Sequence, residues 1–161
     1  MSPTNITLVS LVLVATIVVL FCIAARLWSR RPPPFTRRGP LLTPAELRFY
    51  RALLPAIPLG MSLFVKVRLL DLVDVPAKYW QQFGARASGM HVDFVVADTG
   101  TAEPRVVIEL DDRSHLSPEA RRRDAFKDSA LAAAGIPIMR VAVAANYSSE
   151  ELRRRIVTQL E

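Results

Sequence analysis

Residues 91–115 read HVDFVVADTGTAEPRVVIELDDRSH, and this stretch decides the fold. His91–Asp98 and Arg105–Leu110 are both dense in β-branched residues, which favour strands. Asp98-Thr99-Gly100 and Pro104, which lie between the two segments, are typical of a turn. We therefore expect an antiparallel β-hairpin with a loop of several residues.

Start and stop signals on both sides of the hairpin predict further elements. Thr43-Pro44-Ala45-Glu46 has the pattern of a capping box with proline at the first helical position, so a helix begins there. The remaining predicted elements are a strand at Ser62–Leu70, a helix from Ser117 to Gly135, a strand at Ile136–Val143 and a last helix from Ser148 to about Leu160. Only residues 71–89 are irregular or weakly helical in pattern. The predicted order is helix, three strands, helix, strand and helix, which indicates one α/β domain.

The N-terminal segment has a different character. Residues 6–28 read ITLVSLVLVATIVVLFCIAARLW and carry no charge before Arg26. At about 1.5 Å per residue, this run crosses the roughly 30 Å hydrocarbon core of a bilayer as a helix. A cleaved signal peptide is the alternative, and it fits less well because residues 1–5 carry no basic side chain. Since the arginines follow the apolar run, the positive-inside rule places the domain in the cytoplasm.

The chain thus divides into a short tail at 1–5, a transmembrane helix at 6–28, a linker at 29–40 and a domain at 41–161. The linker contains RRPPPFTRRGP, which favours extended polyproline II structure. Five of the 21 basic residues precede Leu41, whereas all 15 acidic residues follow it, so the net charge of +6 indicates membrane topology before nucleic-acid binding. The single cysteine excludes a disulfide framework.

Acidic side chains interrupt the apolar strands of the predicted hairpin. Glu109 and Asp111 share one face of their strand, and pairing of the strands would bring Asp93 to the same face. Clustered carboxylates raise each other's pKa unless a cation neutralises them, and oxygen ligands suit Mg²⁺ or Mn²⁺. Such an ion polarises phosphoryl groups and generates hydroxide, so the acids predict phosphodiester hydrolysis. A solvated strand end is the simpler alternative.

The pattern Asp93 … Ile108-Glu109-Leu110-Asp111 … His115 resembles the PD-(D/E)XK superfamily of restriction-endonuclease-like folds. Together with Asp124, Lys127 and Gly135-Ile136-Pro137, it is similar to a bacterial domain-of-unknown-function family that is related to very-short-patch-repair-type nucleases. The resemblance covers Leu41 to about Ile156. It implies an αβββαβα core with a central mixed sheet, preceded here by the transmembrane helix.

The resemblance also implies roles for individual residues. Asp93 and Glu109 match metal-binding acids, and Glu46 matches a first-helix glutamate that some members direct at the metal. Asp111 stands where the superfamily usually has its catalytic lysine, and Lys127 on the following helix is the candidate replacement. His115 would transfer a proton or bind the metal.

Two functions follow from these residues. The first is a membrane-tethered nuclease-like domain that requires Mg²⁺ or Mn²⁺ and acts on nucleic acid. The second is a catalytically inactive version of the fold that binds nucleic acid or protein, and the replacement of lysine by Asp111 keeps it open. Helix capping alone would explain Glu46, and a surface ion pair would explain Asp124 with Lys127. For Tyr79-Trp80 we expect packing rather than base stacking.

Overall fold

The computed structural model describes residues 3–29, 33–111 and 117–161. The chain forms two compact units, Met1–Gly39 and Pro40–Glu161. The first contains helix α1 (Pro3–Ser29). Within this helix, Thr7–Ser29 has a mean hydropathy of 3.0 and no buried side chains, so its length and composition allow it to cross a membrane. The same properties are found in signal sequences.

The second unit has the predicted order of elements. Its helices and strands are α2 (Pro44–Leu53), β1 (Met61–Arg68), α3 (Ala85–Ser88), β2 (His91–Asp98), β3 (Pro104–Asp111), α4 (Pro118–Ala133), β4 (Ile138–Ala142) and α5 (Ser149–Leu160). Apart from the single-turn α3, this is the αβββαβα arrangement that the sequence predicts. The α/β fold class is therefore confirmed.

The four strands form one mixed sheet in the order β1-β2-β3-β4. The first two pairings are antiparallel and the third is parallel. The predicted hairpin is confirmed as β2 and β3, whose register runs from Phe94↔Ile108 to Ala97↔Pro104 with a shift after Val96. Because β3 and β4 are parallel, the chain must cross over between them, and α4 makes this crossover.

Helices cover both faces of the sheet, since successive strand residues point to opposite sides. On one face, Phe94 and Ile108 pack in a core with residues of α2 and α5. On the other face, Val95 and Val107 pack with Leu131 of α4. Both cores contain only residues of Pro40–Glu161, so this unit holds the packed interior that a domain needs to fold by itself.

The helix caps predicted from the sequence are present. Thr43 Oγ1 accepts a hydrogen bond from Glu46 N at 3.3 Å, and Glu46 Oε2 accepts one from Thr43 N at 2.8 Å. Ser117 caps α4, which ends before Gly135, a residue with a φ of 71° in the left-handed region that suits glycine. These caps define where α2 and α4 begin, and both helices carry side chains to the candidate site.

The stretch that the sequence leaves irregular, residues 71–89, is built from short helical turns. Ala77–Tyr79 is a 3₁₀ turn, and Trp80–Gly84 is a π-helical turn that leads into α3. The packing expected for Tyr79 and Trp80 is local: the Tyr79 ring lies edge-on to Phe83 at 6.2 Å, the Trp80 indole lies against Gly84, and the two side chains remain 44% and 47% exposed. The turns present both rings at the surface.

Candidate functional site

The candidate site lies where β2 and β3 separate. Their pairing ends at Phe94↔Ile108, and one further residue along this register sets Asp93 opposite Glu109. At this point a side chain of β2, and not its backbone, bonds the backbone of β3: Asp93 Oδ2 accepts a hydrogen bond from Leu110 N at 3.2 Å. The backbone of β3 therefore holds the Asp93 carboxylate between the two diverging strands.

Glu109 is the only buried charged residue in the described ranges, with 6% of its surface exposed. Its Oε1 accepts a hydrogen bond from Lys127 Nζ at 2.7 Å, and Asp124 Oδ1 lies 3.5 Å from the same nitrogen. Burial raises the pKa of Glu109 to about 7; the positive charge of Lys127 opposes this rise and the negative charge of Asp93 adds to it. Glu109 can therefore exchange a proton near neutral pH, which is common for carboxylates at active sites.

Lys66 of β1 joins two of the predicted acids. Its Nζ donates to Asp93 Oδ1 at 2.8 Å and to Glu46 Oε1 at 2.6 Å. Burial lowers the pKa of Lys66, but the hydrogen bonds to both carboxylates outweigh it and the pKa is raised. The Lys66 backbone has a φ of 54°, a left-handed conformation that is strained for lysine. In the sequence, Lys66 is only one residue of the predicted strand Ser62–Leu70, and nothing in that pattern indicates this role.

Glu46 both caps helix α2 and takes part in the candidate site. Its Oε2 completes the capping box with Thr43, while its Oε1 accepts from Lys66. Burial raises the pKa of Glu46, but the hydrogen bonds from Lys66 and Thr43 lower it by more than burial raises it. The pKa of Glu46 is therefore below its usual value. Glu46 is thus connected to Asp93 through Lys66.

Asp111 faces the same side of the sheet as Glu109 and lies near a different cation. Arg140 of β4 stands beside Glu109 in the parallel register. Its guanidinium lies 3.5 Å from Asp111 Oδ2 and 2.7 Å from Asp128 Oδ1. Burial lowers the pKa of Arg140, and the hydrogen bond to Asp128 outweighs this effect and raises it. Asp111 therefore has an arginine as its neighbour.

The predicted acids in the described ranges fall into three groups, each with the cation beside it. Glu46 and Asp93 share Lys66, Glu109 and Asp124 share Lys127, and Asp111 lies with Asp128 beside Arg140. His115 lies outside the described residues. Within the described ranges, no three His, Cys, Asp or Glu side chains lie close enough to hold a metal ion. Two lysines stand between the acids instead.

A cleft of about 180 Å³ opens beside the Glu109–Lys127 pair. It is lined by Met90, His91, Ala120, Arg123, Asp124 and Lys127. His91 was missed by sequence reasoning, because its place at the start of an apolar strand gives no signal of a site. The cleft gives a small polar group access to Lys127.

Comparisons with known proteins agree with the boundaries of this unit. A family model described as "Protein of unknown function (DUF2726)" matches residues 38–160. A relative described as "Uncharacterized protein" in Haemophilus influenzae is 28% identical over 99 residues, which cover 56% of this chain and 76% of the relative. No solved structure matches the chain.

Proposed function

The chain belongs to the family of proteins of unknown function DUF2726, and we propose that it is a divalent-metal-dependent nuclease-like domain that cleaves nucleic-acid phosphodiesters at a membrane. One observation carries this proposal. Asp93 and Glu109 meet at the separating ends of β2 and β3, and Lys127 reaches Glu109 from α4 at 2.7 Å. An acid pair with an adjacent lysine is a suitable arrangement for phosphoryl chemistry.

We further propose that the domain is of the PD-(D/E)XK type. Three features support this: the order αβββαβα, an aspartate from β2, and a glutamate from β3. The superfamily usually has its catalytic lysine at the position of Asp111. In this proposal Lys127 of α4 supplies that lysine instead. The Lys127–Glu109 hydrogen bond supports the view that Lys127 replaces it.

In this proposal the metal site is of the two-carboxylate kind, with Mg²⁺ or Mn²⁺ as its ion. Magnesium sites in proteins usually have one or two carboxylates, and waters and substrate phosphates fill the remaining positions. Asp93 and Glu109 would hold the ion, and Glu46 would join them only after it releases Lys66. When bound, such an ion neutralises phosphate charge and lowers the pKa of water.

The side chains of this chain have separate tasks in the proposed reaction. The backbone N–H of Leu110 fixes the Asp93 carboxylate. Burial raises the pKa of Glu109 to about 7, so its carboxyl would have to lose its proton when it binds the ion. The Lys127 ammonium borders the cleft and binds a phosphate oxygen that enters it, where a fixed positive charge stabilises the developing charge.

The apolar helix α1 supports a tethered location. Thr7–Ser29 is long enough to span a bilayer, and Arg26 lies in its last turn. More arginines follow at Arg37 and Arg38, while no acidic residue precedes Glu46. By the positive-inside rule we place the domain on the cytoplasmic side of a bacterial inner membrane.

A second candidate function is favoured by the two lysines. Lys66 and Lys127 each form an ion pair shorter than 3 Å with an acid of the site, so these acids are neutralised without a divalent ion. Such a site is also consistent with an inactive nuclease fold that only binds nucleic acid or protein.

Plasmid nicking distinguishes the two candidates. The unit Pro40–Glu161 should nick supercoiled plasmid in Mn²⁺, and Glu109→Gln should reduce the rate at least about 100-fold. Glu103→Gln, an exposed turn residue, is the matched control and should keep the full rate. Equal nicking by wild type and Glu109→Gln would assign the activity to a contaminant. Plasmid retention in a gel-shift assay without any nicking would support the second candidate.

A further inference from the structure

A second, larger groove borders the opposite edge of α4. Its volume is about 540 Å³, and three aromatic rings line it, those of Tyr79, Phe83 and Phe126. Tyr79 and Phe83 are 44% and 39% exposed, and the neighbouring Trp80 is 47% exposed. An unpartnered aromatic surface of this kind is typical of a binding site.

Cations alternate with these rings. Lys78 Nζ lies 4.7 Å from the centre of the Tyr79 ring, and the Arg86 guanidinium lies 4.2 Å from that of Phe126. Phe83 stacks on Phe126 at 6.3 Å with an angle of 20° between the rings. Each positive charge is therefore within reach of a ligand that also contacts a ring, although Asp74 contributes one negative charge to the groove.

Trp80 packs closely against Gly84. A Cβ atom at position 84 would lie 2.5 Å from Cδ2 of the Trp80 indole, so only glycine permits this approach. The ring lies on the π-helical turn Trp80–Gly84, and such turns occur often at functional sites. Trp80 is thus half-exposed, with its indole directly against the backbone of Gly84.

Helix α4 connects the groove to the cleft at Glu109. Arg86 donates a hydrogen bond to the carbonyl oxygen of Arg122 at 2.9 Å, which ties the aromatic segment to this helix. One side of α4 gives Phe126 to the groove, while Arg123 and Lys127 line the cleft.

We propose that the aromatic rim of this groove, together with the exposed Lys78, Trp80 and Arg86 that lie outside its lining, is a binding platform for single-stranded nucleic acid. Unpaired bases stack on Tyr79 and Trp80, and the phosphates between them contact Lys78 and Arg86. Base stacking on aromatic rings and phosphate contact with interleaved cations are the two interactions that bind single strands without sequence preference. A duplex has no free base faces to offer. The proposal rests on the proposed function for its substrate class, but binding in the groove requires neither metal nor cleavage.

Trp80 serves as an internal probe. The chain has 2 tryptophans, so Trp28→Phe leaves Trp80 as the only one. The full chain with this substitution, in zwitterionic lipid nanodiscs and EDTA, is titrated with 12-nucleotide oligo(dT), 12-nucleotide oligo(U) and a 12-base-pair duplex. We expect saturable quenching of Trp80 fluorescence by both single strands and at least tenfold weaker binding of the duplex.

Variants separate stacking from charge. Tyr79→Ala should weaken oligo(dT) binding about tenfold, and Lys78→Gln should reduce the slope of log affinity against log salt by about 0.7. Two controls should leave the affinity unchanged. Phe64→Ala removes a ring that is 45% exposed but does not line the groove, and Arg154→Gln removes a charge on α5, which packs on the other face of the sheet. Thermal midpoints of all variants verify folding.

Three results would overturn the platform. Trp80 emission that is blue-shifted in nanodiscs and unresponsive to oligonucleotide would assign the groove to lipid. Equal binding of duplex and single strands would indicate phosphate attraction alone. Unchanged affinity in Tyr79→Ala would show that stacking contributes nothing. Metal-dependent nicking without quenching would reject the platform and keep the proposed function, whereas quenching without nicking would do the reverse.

Discussion

Lys127 Nζ lies 2.7 Å from Glu109 Oε1, and this hydrogen bond joins α4 to the end of β3. The two side chains are 13% and 8% exposed, so neither charge is well solvated. Removal of Lys127 leaves the Glu109 carboxylate buried without its hydrogen-bonded counter-ion, whereas removal of Glu109 leaves Lys127 with Asp124 at 3.5 Å. The pair is therefore central to both the stability and the proposed chemistry of the domain, and four predictions follow from the site around it.

The stability of Pro40–Glu161 should fall as pH rises towards neutrality because of Glu109. Its pKa is raised to about 7 in the folded state by burial, against about 4.5 when unfolded, so the folded state binds more protons between these values. Its stabilising contribution is complete below about pH 4.5 and is lost as pH rises through about 7. Relative to Glu109→Gln, the wild type should lose a few kcal/mol between pH 4.5 and 8. Urea unfolding at four pH values measures this difference. A constant or rising difference would mean that Lys127 lowers the pKa instead.

The substitution Lys127→Met should destabilise the domain by about 3 kcal/mol, because it leaves Glu109 buried without its cation. The double variant Glu109→Leu with Lys127→Met should recover most of this loss, since a buried ion pair is often replaced by apolar side chains at little cost. Chemical denaturation of the single and double variants measures both effects.

The exposed pair Arg68–Asp71 provides the control for that experiment, because its side chains are 58% and 46% exposed. Arg68→Met should leave the unfolding midpoint unchanged. A double variant that is as unstable as Lys127→Met alone would show that the loss comes from packing and not from an unpaired charge.

Lys66→Gly should be more stable than Lys66→Ala by about 1 kcal/mol. Both variants lose the hydrogen bonds to Asp93 and Glu46, but glycine adopts the observed φ of 54° without the penalty that a Cβ atom brings. Phe64 lies two residues earlier in β1 and has no positive φ. There the alanine variant should be more stable than the glycine variant, because glycine weakens a strand. Thermal unfolding of the four variants compares the two positions. If alanine is the more stable at both positions, the strain at Lys66 is absent.

Mn²⁺ should raise the melting temperature of the wild-type domain, because an ion that binds only the folded state stabilises it by about 2.7 kcal/mol at 100 times its Kd. Asp93→Asn and Glu109→Gln should both abolish the increase, whereas Glu103→Gln should retain it. Calorimetric scans in EDTA and in Mn²⁺ give the comparison. An equal increase in all four proteins would place the ion elsewhere on the domain.

Local signals in the sequence were sufficient for the secondary structure. The capping box at Thr43, the turn between His91–Asp98 and β3, and the stop at Gly135 each depend on neighbouring residues, and each is found where it was predicted. Residues 71–89 were not predictable in this way, because 3₁₀ and π turns have no regular apolar spacing.

The sequence by itself determined the α/β order of elements, the apolar N-terminal helix and the acids Asp93 and Glu109 of the candidate site, since periodicity, caps and residue type are written in short stretches of chain. Only the tertiary structure decided that Lys66 lies between Glu46 and Asp93, that Lys127 donates a hydrogen bond to Glu109, and that the rings at 79 and 80 stay half-exposed. These contacts join residues that are far apart in the chain, and strand register and helix packing, which no local pattern specifies, bring them together.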